Sequence, residues 1–428
     1  MRLLVKGGRV IDPFNDLDQV MDVLIEDGFI SDIGVNIDAV GAEVIDASAK
    51  IVCPGFIDMH VHLREPGFEY KEDIVTGTQA AAVGGFTAVC CMPNTQPAAD
   101  NTSVIRFIRE KAEKAGVVKV YPIGTITKQQ AGKELSEVAD LLAAGCVAIS
   151  DDGKPVSGAS VMRNALEYTK MFGIPVLSHC EELDLARDGE MHEGYHSTIF
   201  GLKGIPAAAE ELMVARDIRL AELTGGHIHI CHISARGSIE LVRQARSKGV
   251  SVTCEATPHH LTLSDEILAD YDTDAKVNPP LRSLEHIEAL IEALQDGTID
   301  CIATDHAPHH REAKDCEFKL AAMGISGLET AVAVIMDGLV HRGLLDAYDM
   351  VRLFTCGPAE ILGLDAGTLG IGKVADITII NPEAVRSVDP DKFYSKGKNT
   401  PFKGKVLKGW PDTTIVNGKI VAREGSIV

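Results

Sequence analysis

The amino-acid sequence predicts a (β/α)8 TIM-type barrel flanked by a small composite β-sandwich built from both termini. Three observations carry that expectation. Eight short apolar runs alternate with helical stretches through the middle of the chain, as parallel strands joined by helices do. The two ends differ in texture, with short strand-like segments separated by tight turns. Five of the eight central runs finish in histidine or aspartate, residues that a barrel would gather at one mouth. A doubly wound open sheet is the structural alternative.

At 428 residues the chain accommodates a barrel of about 250 residues or more beside a smaller unit. This places the first part of the sandwich at 1–53, the barrel at 54–364 and the second part of the sandwich at 365–428. Segments 3–5 and 9–11 alternate around Gly7-Gly8, and 22–26 is a strand closed by the turn Asp27-Gly28. Segments 44–46 and 50–53 follow, and Pro54-Gly55 breaks the texture. The eight runs are 56–62, 86–92, 118–124, 146–151, 175–180, 228–233, 250–256 and 300–305. Helices are clearest at 103–116, with Arg106, Arg109, Glu110 and Lys114 on the polar side, and at 285–295. A third spans 207–224, where Leu212, Ala215 and Leu220 recur at helical spacing. Beyond Gly363 strands return at 373–380, 405–407 and 414–421, the last turning at Asn417-Gly418, a type I′ hairpin signal.

Hydrophobic residues make up 45% of the chain, enough for a sizeable core. A formal net charge of −21 speaks against nucleic acid and against an anionic membrane as partners. It is compatible with a small anionic substrate, because metal ions and one arginine reverse the field locally. The ten cysteines lack metal-ribbon spacing and read as reduced thiols, with the adjacent Cys90 and Cys91 pointing to opposite faces. Residues 1–8 read as strand and turn, and no run reaches the ~18–20 apolar residues of a membrane span. The expectation is a soluble, cytoplasmic protein.

His60 and His62 end the first run one residue apart, so in a strand they share a face and form half of a divalent-metal site. His-X-His alone is a weak motif, and a single such residue is more often a satisfied core group. Run four, however, ends in Asp151-Asp152, run five in His179, run six in His232 and run eight in Asp305-His306. Four imidazoles and two carboxylates suffice for two adjacent divalent metals, and a carboxylate can bridge them. Alternation turns Asp151 away from the mouth. Arg64 offers a planar fork suited to a carboxylate. Pro93-Asn94 and Asn278-Pro279 read on their own as turn chemistry. His227 and His229, opposite in parity to His232, should face away from the mouth, and the polar segment 306–323 is a candidate lid.

DMHVHLREPG (58–67), MPNTQP (92–97), SDDG (150–153), LSHCEE (177–182), CHIS (231–234), ATPHHL (256–261), KVNPPLR (276–282), ATDHAPH (303–309) and GISGLET (324–330) occur in order along the chain. Together they resemble the cyclic amidohydrolase superfamily, and within it the longer bacterial (class I) dihydroorotases, from the first barrel strand to the final hairpin. The resemblance implies a barrel with a composite β-sandwich and two zinc ions per subunit. It assigns His60, His62 and Asp305 to one ion and His179 and His232 to the other, with Asp152 bridging. Hydantoinases and allantoinases bridge with a carboxylated lysine, whereas the nearby Lys154 is displaced from the strand end. The second metal is therefore expected to be the more weakly held.

The resemblance further implies reversible cyclisation of N-carbamoyl-L-aspartate to (S)-dihydroorotate in de novo pyrimidine (UMP) biosynthesis. Substrate contacts come from His62, Arg64, Asn94, Asn278, His309 and the backbone of Met323 and Gly324. His259, His260, His306 and His310 remain supporting or packing residues. Zinc lowers the pKa of bound water from about 15.7 to about 7, and Asp305, as general base then acid, takes its proton and delivers it to the ring nitrogen. Two alternatives are a hydantoinase- or allantoinase-type cyclic amidase, and a non-catalytic scaffold for aspartate transcarbamoylase, whose relatives typically lack metal ligands. A homodimer and an association with aspartate transcarbamoylase are the protein partners left open.

Overall fold

The protein is described by a computed structural model covering residues 2–428. Strands Phe56–Val61, Phe86–Cys91 and Lys119–Pro122 pair in parallel. So do Ile149–Ser150, Val176–Ser178, Ile228–Ile230, Val252–Ala256 and Cys301–Ile302. Parallel bridges between Gly124 and Ile149 on one side, and between Val61 and His306 on the other, join the two groups into a closed barrel. Each of the eight apolar runs contains one of these strands, and closure excludes the open sheet.

Side-chain alternation then sorts the core into layers. Met59, Cys90, Ile123, Leu177, Cys231 and Ala303 fill the interior, while Cys91 packs with the helix layer outside. The adjacent cysteines thus point apart as expected. All ten cysteines are free, and nine are buried. Returning helices start at side-chain caps: Asp73 accepts from the Thr76 amide at 2.8 Å, and Asn101 from the amides of Ser103 and Val104.

The helix Ala208–Thr224 corrects one expectation. It buries Ala209, Met213, Val214, Ile218 and Ala221, whereas Leu212 is 56% exposed. The apolar stripe is hard to place because Glu210 and Asp217 lie on the buried face. Glu210 accepts from the Ser234 hydroxyl and the Ser234 and Ala235 amides, and Asp217 from the Ser178 hydroxyl and Arg216. Fully partnered, these two carboxylates occupy positions that a hydropathy pattern gives to solvent.

Both chain ends contribute to one nine-stranded sheet. The joint is Ile51–Pro54, parallel to Arg2–Asp12 on one edge and antiparallel to Ile377–Ser387 on the other. The segments at 3–5 and 9–11 are one strand with a register break between Val5 and Gly8. A Cβ on Gly8 would lie 2.4 Å from the Val52 side chain, so this close approach requires glycine. Asp27-Gly28 and Asn417-Gly418 both carry positive φ at the two central positions, as type I′ turns demand. Leu3, Val23, Val52, Leu369, Ile377 and Ile415 share one core, so the curled sheet closes over side chains from both ends. Among the described residues no helix is long and apolar enough to cross a membrane.

Between Ile377–Ser387 and Val406–Val416 the chain leaves the sheet and runs irregularly to the barrel mouth. There Glu329 accepts from the Ser395 amide at 3.0 Å and is 8% exposed. Burial pushes its carboxyl up to about 7 from an ordinary value of 4.5. A carboxyl raised on folding stabilises the native state while protonated. That contribution is complete below the unfolded value and lost as pH rises through the folded one, on the order of 3 kcal/mol over the window. Thermal denaturation should show wild type and Glu329→Gln alike in acid. Wild type should lose stability relative to the variant between about pH 4.5 and about pH 7.

Candidate active site and metal centre

The strand ends meet at a cavity of about 240 Å³ lined by His62, Arg64, Asn94, Asp152, His179 and His232, with Asn278, Asp305, Ala307, His309, Met323 and Gly324 completing the wall. His60 is fully buried beside it. Every residue assigned a metal or substrate role from the sequence therefore lies at this one mouth, although the set spans more than half the chain.

Asp152 sits between two groups of imidazoles. Its Oδ1 is 3.4 Å from His60 Nε2, 3.7 Å from His179 Nδ1 and 3.7 Å from His232 Nε2, while its Oδ2 is 3.5 Å from His62 Nε2. Asp305 Oδ1 lies 3.1 Å from His62 Nε2 and 3.5 Å from His60 Nε2. His179 Nδ1 and His232 Nε2 approach to 2.9 Å. Burial works to raise both carboxyls. The surrounding imidazoles outweigh it, His60 most strongly, and hold Asp152 and Asp305 well below the usual carboxylate range. Both are ionised at neutral pH.

This donor set fits divalent metal. His60 Nε2 and Asp152 Oδ1 are buried without hydrogen-bond partners, so atoms that a metal would satisfy are otherwise orphaned. Two clusters, His60–His62–Asp305 and His60–Asp152–His232, bring their donor atoms within 4.8 Å of one another. Asp151 turns away to accept from the Ile126 and Thr127 amides, and Lys154 is exposed on the following turn.

Local backbone aims these groups. His232, Asp305 and Arg64 have φ of 34°, 46° and 60°, left-handed conformations that non-glycine residues adopt at some cost, on the order of 1–3 kcal/mol each. At His232 this breaks strand parity and corrects the expectation for His229. That side chain does not face away: it is fully buried in the barrel, 3.2 Å from Glu255 Oε2. His227 is half-buried, with Nε2 2.8 Å from the Thr253 hydroxyl.

Sequence reasoning missed three supporting carboxylates. Glu255 Oε1 lies 2.6 Å from His60 Nδ1 and accepts from the His232 amide. Burial works to raise its carboxyl, but His60 and His229 bring it down to about 2. Accepting from Nδ1 leaves His60 Nε2 free to act as a donor to metal. Glu181 joins His179 Nε2 at 3.6 Å to Asn278 Nδ2 at 3.0 Å, coupling a donor to the cavity wall. Asp58 accepts from the His60 and Thr304 amides, both at 3.1 Å, tying the first strand to the eighth. An acidic residue inside an otherwise apolar strand is the signal that marks Glu255 and Asp58.

Asn94 has a second task besides lining the cavity: its Oδ1 lies 2.9 Å from His62 Nδ1 and sets that ring. Arg64 is half-buried and has no carboxylate within salt-bridge reach among the described residues, and its buried Nε has no hydrogen-bond partner. His309 Nε2 donates to the Met323 carbonyl at 2.9 Å, leaving Nδ1 without a partner. Burial, with Arg64 nearby, lowers the His309 pKa to about 2, so the ring is neutral. Segment 306–323 closes one side of the mouth. Lys314 Nζ donates to the carbonyls of Thr273 and Lys276, and Lys276 Nζ returns the bond to Phe318 and Lys319.

A closed α/β barrel with a buried imidazole–carboxylate donor set at its mouth is the arrangement of a metal-dependent barrel hydrolase. The chain belongs to the amidohydrolase family, which matches residues 51–421. It is similar over almost its whole length to dihydroorotases: 56% identical over 424 residues to that of Pelotomaculum thermopropionicum, covering 99% of both chains. It is 54% identical over 422 residues to that of Acetivibrio thermocellus, again covering 99% of both. Among solved structures, the L-hydantoinase (dihydropyrimidinase) of Arthrobacter aurescens superposes with a TM-score of 0.90 at 26% identity, over 100% of this chain and 97% of the other.

Proposed function

We propose that the chain is a zinc-dependent dihydroorotase, interconverting N-carbamoyl-L-aspartate and (S)-dihydroorotate in pyrimidine biosynthesis. The observation that carries this reading is Arg64, a half-buried guanidinium with a buried, unpartnered Nε and no carboxylate partner, in the same small cavity as Asp305 and the histidines. A neutral ring would leave that charge uncompensated, and a substrate carboxylate completes it. Neutral His309 stands beside it as a wall and becomes a second donor when the arriving charge favours a proton on Nδ1.

His60, His62 and Asp305 would hold one zinc, His179 and His232 the other, and Asp152 would bridge them. Bound there, the metals would supply activation of water and polarisation of the scissile carbonyl. Asp305 accepts the proton of the attacking water and delivers it to the ring nitrogen as the C–N bond breaks. In the biosynthetic direction Asp305 takes the proton from the ureido nitrogen as it attacks the side-chain carboxyl, and returns it to the departing oxygen. Arg64 and Asn278 orient the ring, and the Met323–Gly324 backbone closes its edge. The barrel at 54–364 would carry the chemistry, with 1–53 and 365–428 as its flanking unit. The free, mostly buried cysteines support a reducing, cytoplasmic setting.

The test is turnover by zinc-supplemented protein of dihydroorotate beside hydantoin, dihydrouracil and allantoin. Turnover of dihydroorotate alone is the expected result, and preference for a neutral ring would overturn the roles of Arg64 and His309. Glu255→Gln checks the centre separately: equilibrium metal titration should show affinity about 10- to 100-fold weaker, as loss of a carboxylate behind a ligating histidine does.

A further inference from the structure

One buried amide at the mouth belongs to neither the barrel strands nor their loops. Asn399 lies on the irregular stretch between Ile377–Ser387 and Val406–Val416 and is 3% exposed. Its Nδ2 donates to the carbonyls of Ala307 at 3.1 Å and Gly324 at 3.0 Å. Its Oδ1 accepts from the His309 amide at 3.0 Å and the Ser326 hydroxyl at 2.9 Å. The full capacity of a carboxamide is thus spent on two segments, 307–309 and 324–326, and on nothing else. Ala307, His309 and Gly324 are cavity wall, and Arg64 lies close enough to act on the His309 ring. The fit is tight. A Cβ on Gly397 would lie 2.4 Å from Pro308 and 2.5 Å from Ser326, and one on Gly324 would lie 2.7 Å from the Ala307 carbonyl.

We propose that Asn399 is a positioning residue for substrate recognition: by clamping 307–309 to 324–326, it sets the carboxylate end of the cavity from the terminal sheet. The inference rests on the dihydroorotase reading. Asn399 touches none of the six candidate metal donors, so its loss changes how substrate is held and not how the ring is opened. The other bonds at the joint, from the Ala307 amide to the Ile325 carbonyl, from His309 Nε2 to the Met323 carbonyl and from the Ser326 amide to the Asn399 carbonyl, leave the Ala307 and Gly324 carbonyls to the Asn399 side chain alone. Aspartate at this position would set a carboxylate oxygen against two carbonyl oxygens, and alanine would orphan all four partners.

The experiment is steady-state kinetics on dihydroorotate for the full-length, metal-loaded wild type, Asn399→Ala and the near-isosteric Asn399→Asp, with bound metal measured in parallel. The expected result is a KM raised about 10- to 100-fold, with kcat within about threefold of wild type and metal content unchanged. KM does not depend on the fraction of enzyme folded, so a partly misfolded variant still reports. Ser326→Ala, which removes only one of the four contacts, should shift KM in the same direction by a smaller factor. Unchanged KM with lowered kcat or melting temperature would reduce Asn399 to a structural residue, while leaving the dihydroorotase reading intact. Absence of dihydroorotate turnover in wild type would overturn that reading, and this inference with it.

Discussion

Replacing Asp305 with asparagine should leave a folded protein whose turnover of dihydroorotate, in either direction, falls by about 10³-fold or more, at the upper end of what a general acid–base contributes. Asparagine suits the test because Asp305 sits at φ 46°, and asparagine tolerates the left-handed region where alanine would be strained. Its Oδ1 can still meet His62 Nε2, now 3.1 Å from the carboxylate. What disappears is the charge and the capacity to carry a proton between water and the ring nitrogen. Because His60 and His62 hold the native carboxyl well below its usual range, wild-type Asp305 stays a base throughout the neutral and mildly acid range. Kinetics in both directions, with bound metal quantified, separate the chemistry from metal loss. A kcat close to wild type in a metal-loaded variant would remove Asp305 from the proton transfer.

The parts of this molecule legible in its sequence are those where local pattern and global fold agree. Apolar runs bounded by turns marked all eight barrel strands, and Asp27-Gly28 and Asn417-Gly418 marked two hairpins of the terminal sheet, because type I′ geometry admits few residues. The donors were legible because chemistry-bearing residues recurred at strand ends. What escaped depended on a break in periodicity or a partner distant in sequence. His229 was misplaced because His232 leaves strand geometry at φ 34°, so parity counted from it fails. The buried face of Ala208–Thr224 was misplaced because Glu210 and Asp217 find partners on other elements. Glu255 is marked only as an acidic residue in an apolar strand, which names no partner, and Asn399 carries no positional signature at all. Their roles exist only once strands far apart in sequence, and the terminal sheet, are brought to the same mouth.

Arg64→Met should weaken kcat/KM for dihydroorotate by about 100-fold or more, mainly through KM, since truncating one side of a desolvated charge pair costs about 2–5 kcal/mol. A neutral cyclic amide should be affected little. The same substitution should make the ligand-free protein more stable, and that opposite sign is the sharper test. In the absence of substrate the half-buried guanidinium has no carboxylate within salt-bridge reach, and desolvation lowers its pKa despite Asp305 and Asp152 nearby. A partly desolvated charge without a close partner is a net cost, and for the half-buried Arg64 the gain on apolar replacement is expected at or below the low end of the about 1–4 kcal/mol seen for fully buried ions. Methionine keeps an unbranched stem and adds no new backbone penalty at φ 60°, where arginine already bears it. Metals at the centre, being cationic, deepen the cost of the guanidinium and leave the sign unchanged. Denaturant unfolding of both proteins, with and without saturating dihydroorotate, should therefore show a reversal: the variant more stable when empty, the wild type more stable when loaded. A variant less stable in both states would mean that Arg64 holds the mouth together through packing. One more stable in both would mean that its partner is not the substrate.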